Sequence, residues 1–222
     1  TALNSAIAYV ASGQGDVALA VGADKMNAPD RAQSFAIFDG AWDVSDVEGQ
    51  IARLEQLGHA VQPPKREVEP GQRSVFMDVY AALARFHMGT FGTTQVDIAH
   101  VAAKNHRHSV LNPKAQYRND MTVEEVLAAR EISWPLTLPM CAPISDGAAA
   151  AIVVSEKKAR QIGLARAVHI AASVQAAGSD RAPEDLEHHI CRRAVDKAYE
   201  LSGIAPEDVS VVEVQDATAF AE

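Results

Sequence analysis

Aromatic side chains are scarce in this sequence, at 5% of its residues, although 48% are hydrophobic. Alanine makes up much of the difference. A core poor in large rings is built from helices lying close on a sheet, where small side chains let backbones approach. Cysteine is also scarce: Cys141 and Cys191 stand far apart, which fits a reduced intracellular setting. No stretch reaches the roughly 18 consecutive apolar residues that a membrane-spanning helix needs. No basic segment followed by an apolar run opens the chain, so no secretory signal is read there. Positive charge is in deficit, with 20 Lys and Arg against 29 Asp and Glu and a net charge of −9. Without a basic patch carrying interleaved aromatics, nucleic acid is not an expected partner. A phosphate-bearing ligand would need a local cluster of positive charge.

The 222 residues suffice for one large domain or two small ones. Ala2, Leu3, Ala6, Ile7, Val10 and Ala11 recur at helical spacing, and Gly13 marks the end of that helix. DVALAVGA at 16–23 is a short continuous apolar run bracketed by glycines, the pattern of a buried strand in a parallel sheet. From Asn27 to about Pro143 the character changes. Most prolines and aromatics fall here, so the stretch reads as an irregular insertion with its own helices. Thr94 with Asp97, and Thr122 with Glu125, have capping-box spacing before apolar residues. A second buried strand is expected at 148–154, a short helix capped by Ser155 and ended by Gly163, and a strand at 167–172. An amphipathic helix should follow, with Pro183 in its first turn and Gly203 at its end. Its inward stripe is Leu186, Ile190, Ala194, Ala198 and Leu201. A last strand is expected at 209–214. The first helix leaves no room for a cap, and the last strand is followed by the opening of a further element that stops at Glu222. We therefore expect the chain to be an internal piece of a longer protein.

Four blocks resemble one family. GDVALAVGADKM at 15–26 resembles the thiolase strand after the nucleophile helix. KNHRHSVLNPKAQYRNDMTVEEVLAAREI at 104–132 resembles the loop domain of the sterol-carrier-protein type of thiolase. CAPISDGAAAAIVVSEKKARQIG at 141–163 resembles the return into the N-terminal sheet, and SGIAPEDVSVVEVQDATAF at 202–220 the approach to an active-site loop. The blocks keep their order and cover nearly the whole chain. The resemblance implies an α/β thiolase-like fold of two βαβαβ halves with an inserted loop domain. Residues 1–26 and 144–164 then belong to the N-terminal half, 27–143 to the loop domain and 165–222 to the start of the C-terminal half. It implies an acyl-CoA C-acyltransferase working through a cysteine thioester, with coenzyme A thioester as substrate and no other cofactor. It further implies a homodimer, and a cytoplasmic or, in a eukaryote, peroxisomal location. Lyase-type relatives cleave sterol side-chain CoA esters without the thiolase cysteine and work with an OB-fold partner. A non-catalytic acyl-CoA-binding subunit is the third reading.

The chemistry needs a nucleophilic cysteine, a base, a second acid/base and donors to the thioester oxygen. By resemblance the nucleophile lies just before Thr1 and the Gly-His-Pro base beyond Glu222, so these 222 residues alone are expected to be inactive. Cys191 beside Ile190 reads as a small buried residue. Cys141 and Ala142 fall where the family's loop nears the active site and are candidate pocket residues; Cys141 has no recognisable base partner for a nucleophile's role. Gln215 and Asp216 stand where the family usually reads His-Asp. A glutamine amide donates a hydrogen bond but does not transfer protons. Gln215 is thus a candidate donor and Asp216 its support, against the alternative that Gln215 satisfies backbone at a strand end. His87 and Met88 match a pair that helps form the pantetheine tunnel, or His87 simply ends a helix. His106 and His108 are two apart and face different ways on a helix, so no metal site is expected. In the SDG turn at 145–147, Asp146 is expected to bond backbone. Lys104, Arg107, His108 and Lys114 are a positive cluster for coenzyme A phosphates or a solvated face.

Overall fold

A computed structural model describes residues 1–30, 34, 37–38, 45–64, 75–182 and 184–222. The chain is mixed α/β and forms two compact units. One comprises residues 1–25 and 146–212, the other residues 26–145 and 213–222.

The first unit opens with α1, Ala2–Ala11. Strands β1, Val17–Asp24, and, much later, β4, Gly147–Val154, pair antiparallel, with Leu19 opposite Ile152 and Ala20 opposite Ala151. Alternation puts Ala18, Ala20 and Val153 on one face, where they pack with Ala6, Ile7 and Val10 of α1. Both ends of the pair are tied by side chains. Ser155 Oγ donates to Asp16 Oδ1 at 2.7 Å, and Lys25 meets Asp146 at the other end.

Where a parallel sheet was expected, β1 and β4 form, among the described residues, a two-stranded antiparallel one. A continuous apolar run signals burial but encodes no strand direction. Burial is also one-sided: Leu19 is 64% and Ile152 71% exposed on the face away from α1. The strands expected at 167–172 and 209–214 are not formed. Among the described residues neither finds a ladder partner, and Val168 and Val211 are 88% and 85% exposed. Extended apolar sequence becomes a strand only when another strand accepts its hydrogen bonds.

Local signals fared better. Ser155 caps α6, Glu156–Gln161, accepting from Lys158 N. Helix α7, Ile190–Ser202, ends at Gly203 with φ +67°, a conformation that glycine adopts without a Cβ penalty. Its start differs from expectation. The helix begins at Ile190 with His189 as N-cap, because Asp185 instead binds His188 N and its ring in a preceding turn. Leu186 therefore lies outside the helix, Pro183 lies outside the described residues, and the expected inward stripe is not buried.

The second unit is helical. It contains α2, Val47–Leu57; α3, Val75–Phe91; α4, Gln95–Leu111; and α5, Val123–Ala128. A small hairpin joins β2, Glu131–Ser133, to β3, Leu136–Thr137. Both capping boxes form as the sequence predicts, Thr94 with Asp97 and Thr122 with Glu125. Gly58 follows α2, where a Cβ would lie 3.1 Å from Ala82 Cα of α3 and 2.9 Å from the Arg85 guanidinium. Its missing side chain lets Arg85 Nε reach the Gly58 carbonyl at 3.3 Å. The core gathers Ala81, Ala84, Ile98, Ala99, Ala102, Ala103, Val126, Leu136 and Met140, joined by Ala219 from the returning segment. Five alanines of α3 and α4, Ala81, Ala82, Ala84, Ala99 and Ala102, are at 2% exposure or less. Leu136, Met140 and Val126 are the largest fully buried apolar side chains of this core, each worth about 1.5–3 kcal/mol.

Candidate functional site

In the second unit, residues 216–222 return against α4 and the 139–142 turn. Ala142 N donates to Ala217 O at 3.0 Å and Ala219 N to Met140 O at 2.8 Å, an isolated antiparallel bridge centred on Cys141 and Thr218. This bridge brings two stretches some 75 residues apart in sequence to one wall. The opposite wall comes from α4. Ala102, Asn105, His106 and Ser109 fall at i, i+3, i+4 and i+7 and so share one helix face. Between the walls lies a cavity of about 220 Å³, lined also by Cys141, Ala142 and Asp216 and rimmed by Tyr117.

Three of the six candidates, Cys141, Ala142 and Asp216, therefore meet at one cavity. Gln215 does not line it; its side chain is exposed, immediately before the lining residue Asp216. His87 and Met88 are half-buried on α3 and also lie outside it. His87 nonetheless touches the returning segment, its ring 5.7 Å from Phe220 edge-on and 4.6 Å from Phe91, with Thr93 Oγ1 2.8 Å from Nδ1.

The electrostatics sort these groups. Burial pushes the Cys141 thiol up to about 11, and its Sγ sits 3.5 Å from the Thr137 carbonyl. Such a thiol is protonated near neutral pH and is a poor nucleophile. In the positive cluster, Lys104 is committed to Glu222, while Arg107, His108 and Lys114 are exposed. Hydrogen bonds from Lys104 and Asn105, with the nearby charges of Lys104 and His108, hold the Glu222 carboxyl below its usual range. His106 is hydrogen-bonded, its ring nitrogens each 3.3 Å from a carbonyl, of Asn119 and Pro139. Among the described residues no group of three or more His, Cys, Asp or Glu could hold a metal ion, and no helix is long and apolar enough to cross a membrane.

Among the lining residues that the sequence reading did not single out are Asn105 and Thr218. Asn105 carried a weak signal, since asparagine is a poor helix former in mid-helix and needs a reason to be there. Thr218 carried none. It is 1% exposed and, among the described residues, its hydroxyl has no hydrogen-bond partner.

Comparison with solved structures bears on the fold. A chain of the Ltp2-ChsH2(DUF35) aldolase superposes with a TM-score of 0.65 at 24% identity, covering 98% of this chain and 52% of that one. The likeness speaks to the fold. No protein-family profile matches the chain. Curated sequences carry the identification further. The chain is 34% identical over 195 residues to benzoylsuccinyl-CoA thiolase subunit BbsB of Thauera aromatica, covering 84% of this chain and 50% of that protein. It is 34% identical over 220 residues to an acetyl-CoA acetyltransferase of Methanothermobacter thermautotrophicus, covering 97% and 50%. It is 30% identical over 223 residues to human sterol carrier protein 2, covering 97% and 38%. The chain is thus a relative of the thiolases and of sterol carrier protein 2, as its sequence blocks indicated. It spans about half the length of the first two proteins.

Proposed function

We propose that this chain is part of an acyl-CoA C-acyltransferase of the thiolase type. The observation that carries the reading is similarity to an acetyl-CoA acetyltransferase across 97% of the chain. In the proposed reaction a cysteine thiolate attacks the thioester carbonyl, coenzyme A leaves as the thiol, and the cysteine holds the acyl group. The α-carbanion of a second acyl-CoA then attacks that thioester and regenerates the thiolate. The nucleophile lies outside these 222 residues, and the high pKa of the Cys141 thiol supports placing it elsewhere. Gln215 donates a hydrogen bond near the thioester oxygen, Asp216 supports it, and Cys141 and Ala142 line the neighbouring cavity. His87 and Met88 border the pantetheine, and residues 27–143 act as the inserted loop domain. The test is acyl-CoA condensation and thiolysis by the full-length parent, with loss of turnover on replacing the cysteine that precedes Thr1.

A second reading is a thiolase-like lyase acting with a partner protein. It draws on the fold neighbour, an aldolase named together with a second protein, and on Gln215, which transfers no proton. A non-cysteine residue at the expected nucleophile position, with carbon–carbon cleavage of a CoA ester, would favour it.

We further propose that the parent is a homodimer through the face beside α1 and the 17–20 stretch of β1. Among the described residues β1 pairs only with β4, its 17–23 stretch carries no charge, and an open apolar strand edge of this kind invites pairing; Val17, Leu19 and Val21 lie exposed on the face turned away from α1. Sedimentation of the parent should give twice the chain mass at micromolar concentration; a monomer there refutes it.

A further inference from the structure

Residues 216–222 lack regular structure of their own, apart from the single bridge at Thr218, yet they place Asp216 at the cavity and end in a defined position. The side chain best placed to fix them is Asn105. Its Nδ2 lies 2.7 Å from Glu222 Oε2 and 3.5 Å from Asp216 Oδ2. A primary amide has two N–H donors on one nitrogen, and two carboxylates on the same side admit only that end of the group, since its oxygen would repel both. Lys104, one residue earlier, takes the other Glu222 oxygen, so the carboxylate is held in a fork by consecutive residues of α4. The same fork keeps the Glu222 carboxyl ionised to lower pH than usual. One helix position thus meets the first and last carboxylates of the returning segment at once.

We infer that Asn105 is the positioning residue of this site, acting through Asp216 and Glu222 to hold residues 216–222, and with them the preceding Gln215. The inference rests on reading Gln215 and Asp216 as part of an acyl-CoA site. Asn105 touches neither substrate nor reacting atoms in this account. Misplacing a catalytic group by about an ångström costs up to roughly a hundredfold in rate while leaving binding energy elsewhere intact. The effect of losing Asn105 should therefore fall on kcat more than on KM.

The experiment compares wild type with Asn105→Ala, Asn105→Asp and Glu222→Gln in the full-length parent. Two properties are measured: hydrogen exchange at the Ala219 and Ala221 amides, which bond Met140 and Thr218 carbonyls, and turnover of acetyl-CoA and acetoacetyl-CoA. Asn105→Ala should speed exchange at both amides and lower kcat, each by about tenfold or more, with KM changed less than about threefold. Asn105→Asp sets a third carboxylate against the other two. Its kcat should approach that of wild type as the pH falls, because a protonated carboxyl again donates a hydrogen bond, whereas Asn105→Ala stays low at every pH. Glu222→Gln removes the carboxylate that Lys104 and Asn105 hold, and should speed exchange at Ala221 even if the Asn105 variants do not fold. Unchanged exchange in these variants overturns the inference. So does faster exchange with wild-type kcat, since the segment would then be held for a reason unrelated to the site. If wild type itself turns over neither thioester, the acyltransferase reading fails, and the exchange arm still decides whether Asn105 holds the segment.

Discussion

Cys141 and Thr218 face each other across the isolated antiparallel bridge that ties the returning segment to the 139–142 turn, and each carries a polar group that its surroundings serve poorly. Among the described residues the Thr218 hydroxyl has no partner, and the Cys141 thiol is held protonated by burial. Both facts are open to test.

Thr218→Val should stabilise the second unit. The substitution keeps the side chain's shape and removes a buried hydroxyl whose desolvation is uncompensated, a cost of about 1–3 kcal/mol. Thermal or urea denaturation should show a higher midpoint. A lower midpoint would mean that the hydroxyl finds a partner in solution.

Cys141 should alkylate slowly and Cys191 quickly. With a pKa of about 11, roughly one Cys141 thiol in a thousand is ionised at pH 8, and reactivity requires the thiolate. Cys191 is exposed. Iodoacetamide labelling followed by mass spectrometry should give a Cys141 rate that climbs about tenfold per pH unit up to pH 11. Equal labelling of both cysteines at pH 8 would show that the thiol is not buried as described.

Helix α7 should lose its cap in mild acid. His189 Nδ1 accepts from Cys191 N at 3.2 Å, which only the unprotonated nitrogen can do. Burial, and then the charge of Arg181, push the His189 pKa below its ordinary value of 6.5. A histidine with a depressed folded pKa contributes stability that is present above the unfolded pKa. That contribution is lost as pH falls through the lower folded value. Amide exchange at the start of α7 should therefore accelerate below about pH 6.5, with a cap loss of about 1 kcal/mol. His189→Asp should remove that dependence down to the carboxylate range. A wild-type helix whose N-terminal exchange is flat from pH 7 to 5, after correction for intrinsic rates, would contradict the cap.

Much of the local structure was legible because its causes are local. Thr94 and Asp97, Thr122 and Glu125, Ser155 and Gly203 each act within a turn or so of their own position. The start of α7 was not, since Asp185 and His189 compete for the same few amides and the winner depends on geometry. Strand direction was not either: AAAAIVV would read the same in a parallel or an antiparallel pair. The stretches at 167–172 and 209–214 have strand composition, but pairing depends on a partner that composition does not name. At the cavity, the QDAT stretch at 215–218 drew attention to a segment that supplies two lining residues, Asp216 and Thr218. Asn105 stayed hidden because its role depends on two carboxylates more than a hundred residues away that only the fold brings near.

The most direct test of the account is acyl-CoA turnover by the full-length parent carrying Gln215→His or Gln215→Leu. If Gln215 donates to the thioester oxygen, Gln215→His should match or exceed wild type, because a neutral imidazole also donates. Gln215→Leu should then lose about tenfold to a thousandfold in kcat. Equal turnover in wild type and Gln215→Leu would contradict the account, leaving Gln215 a surface residue beside the cavity and the acyl-CoA site elsewhere.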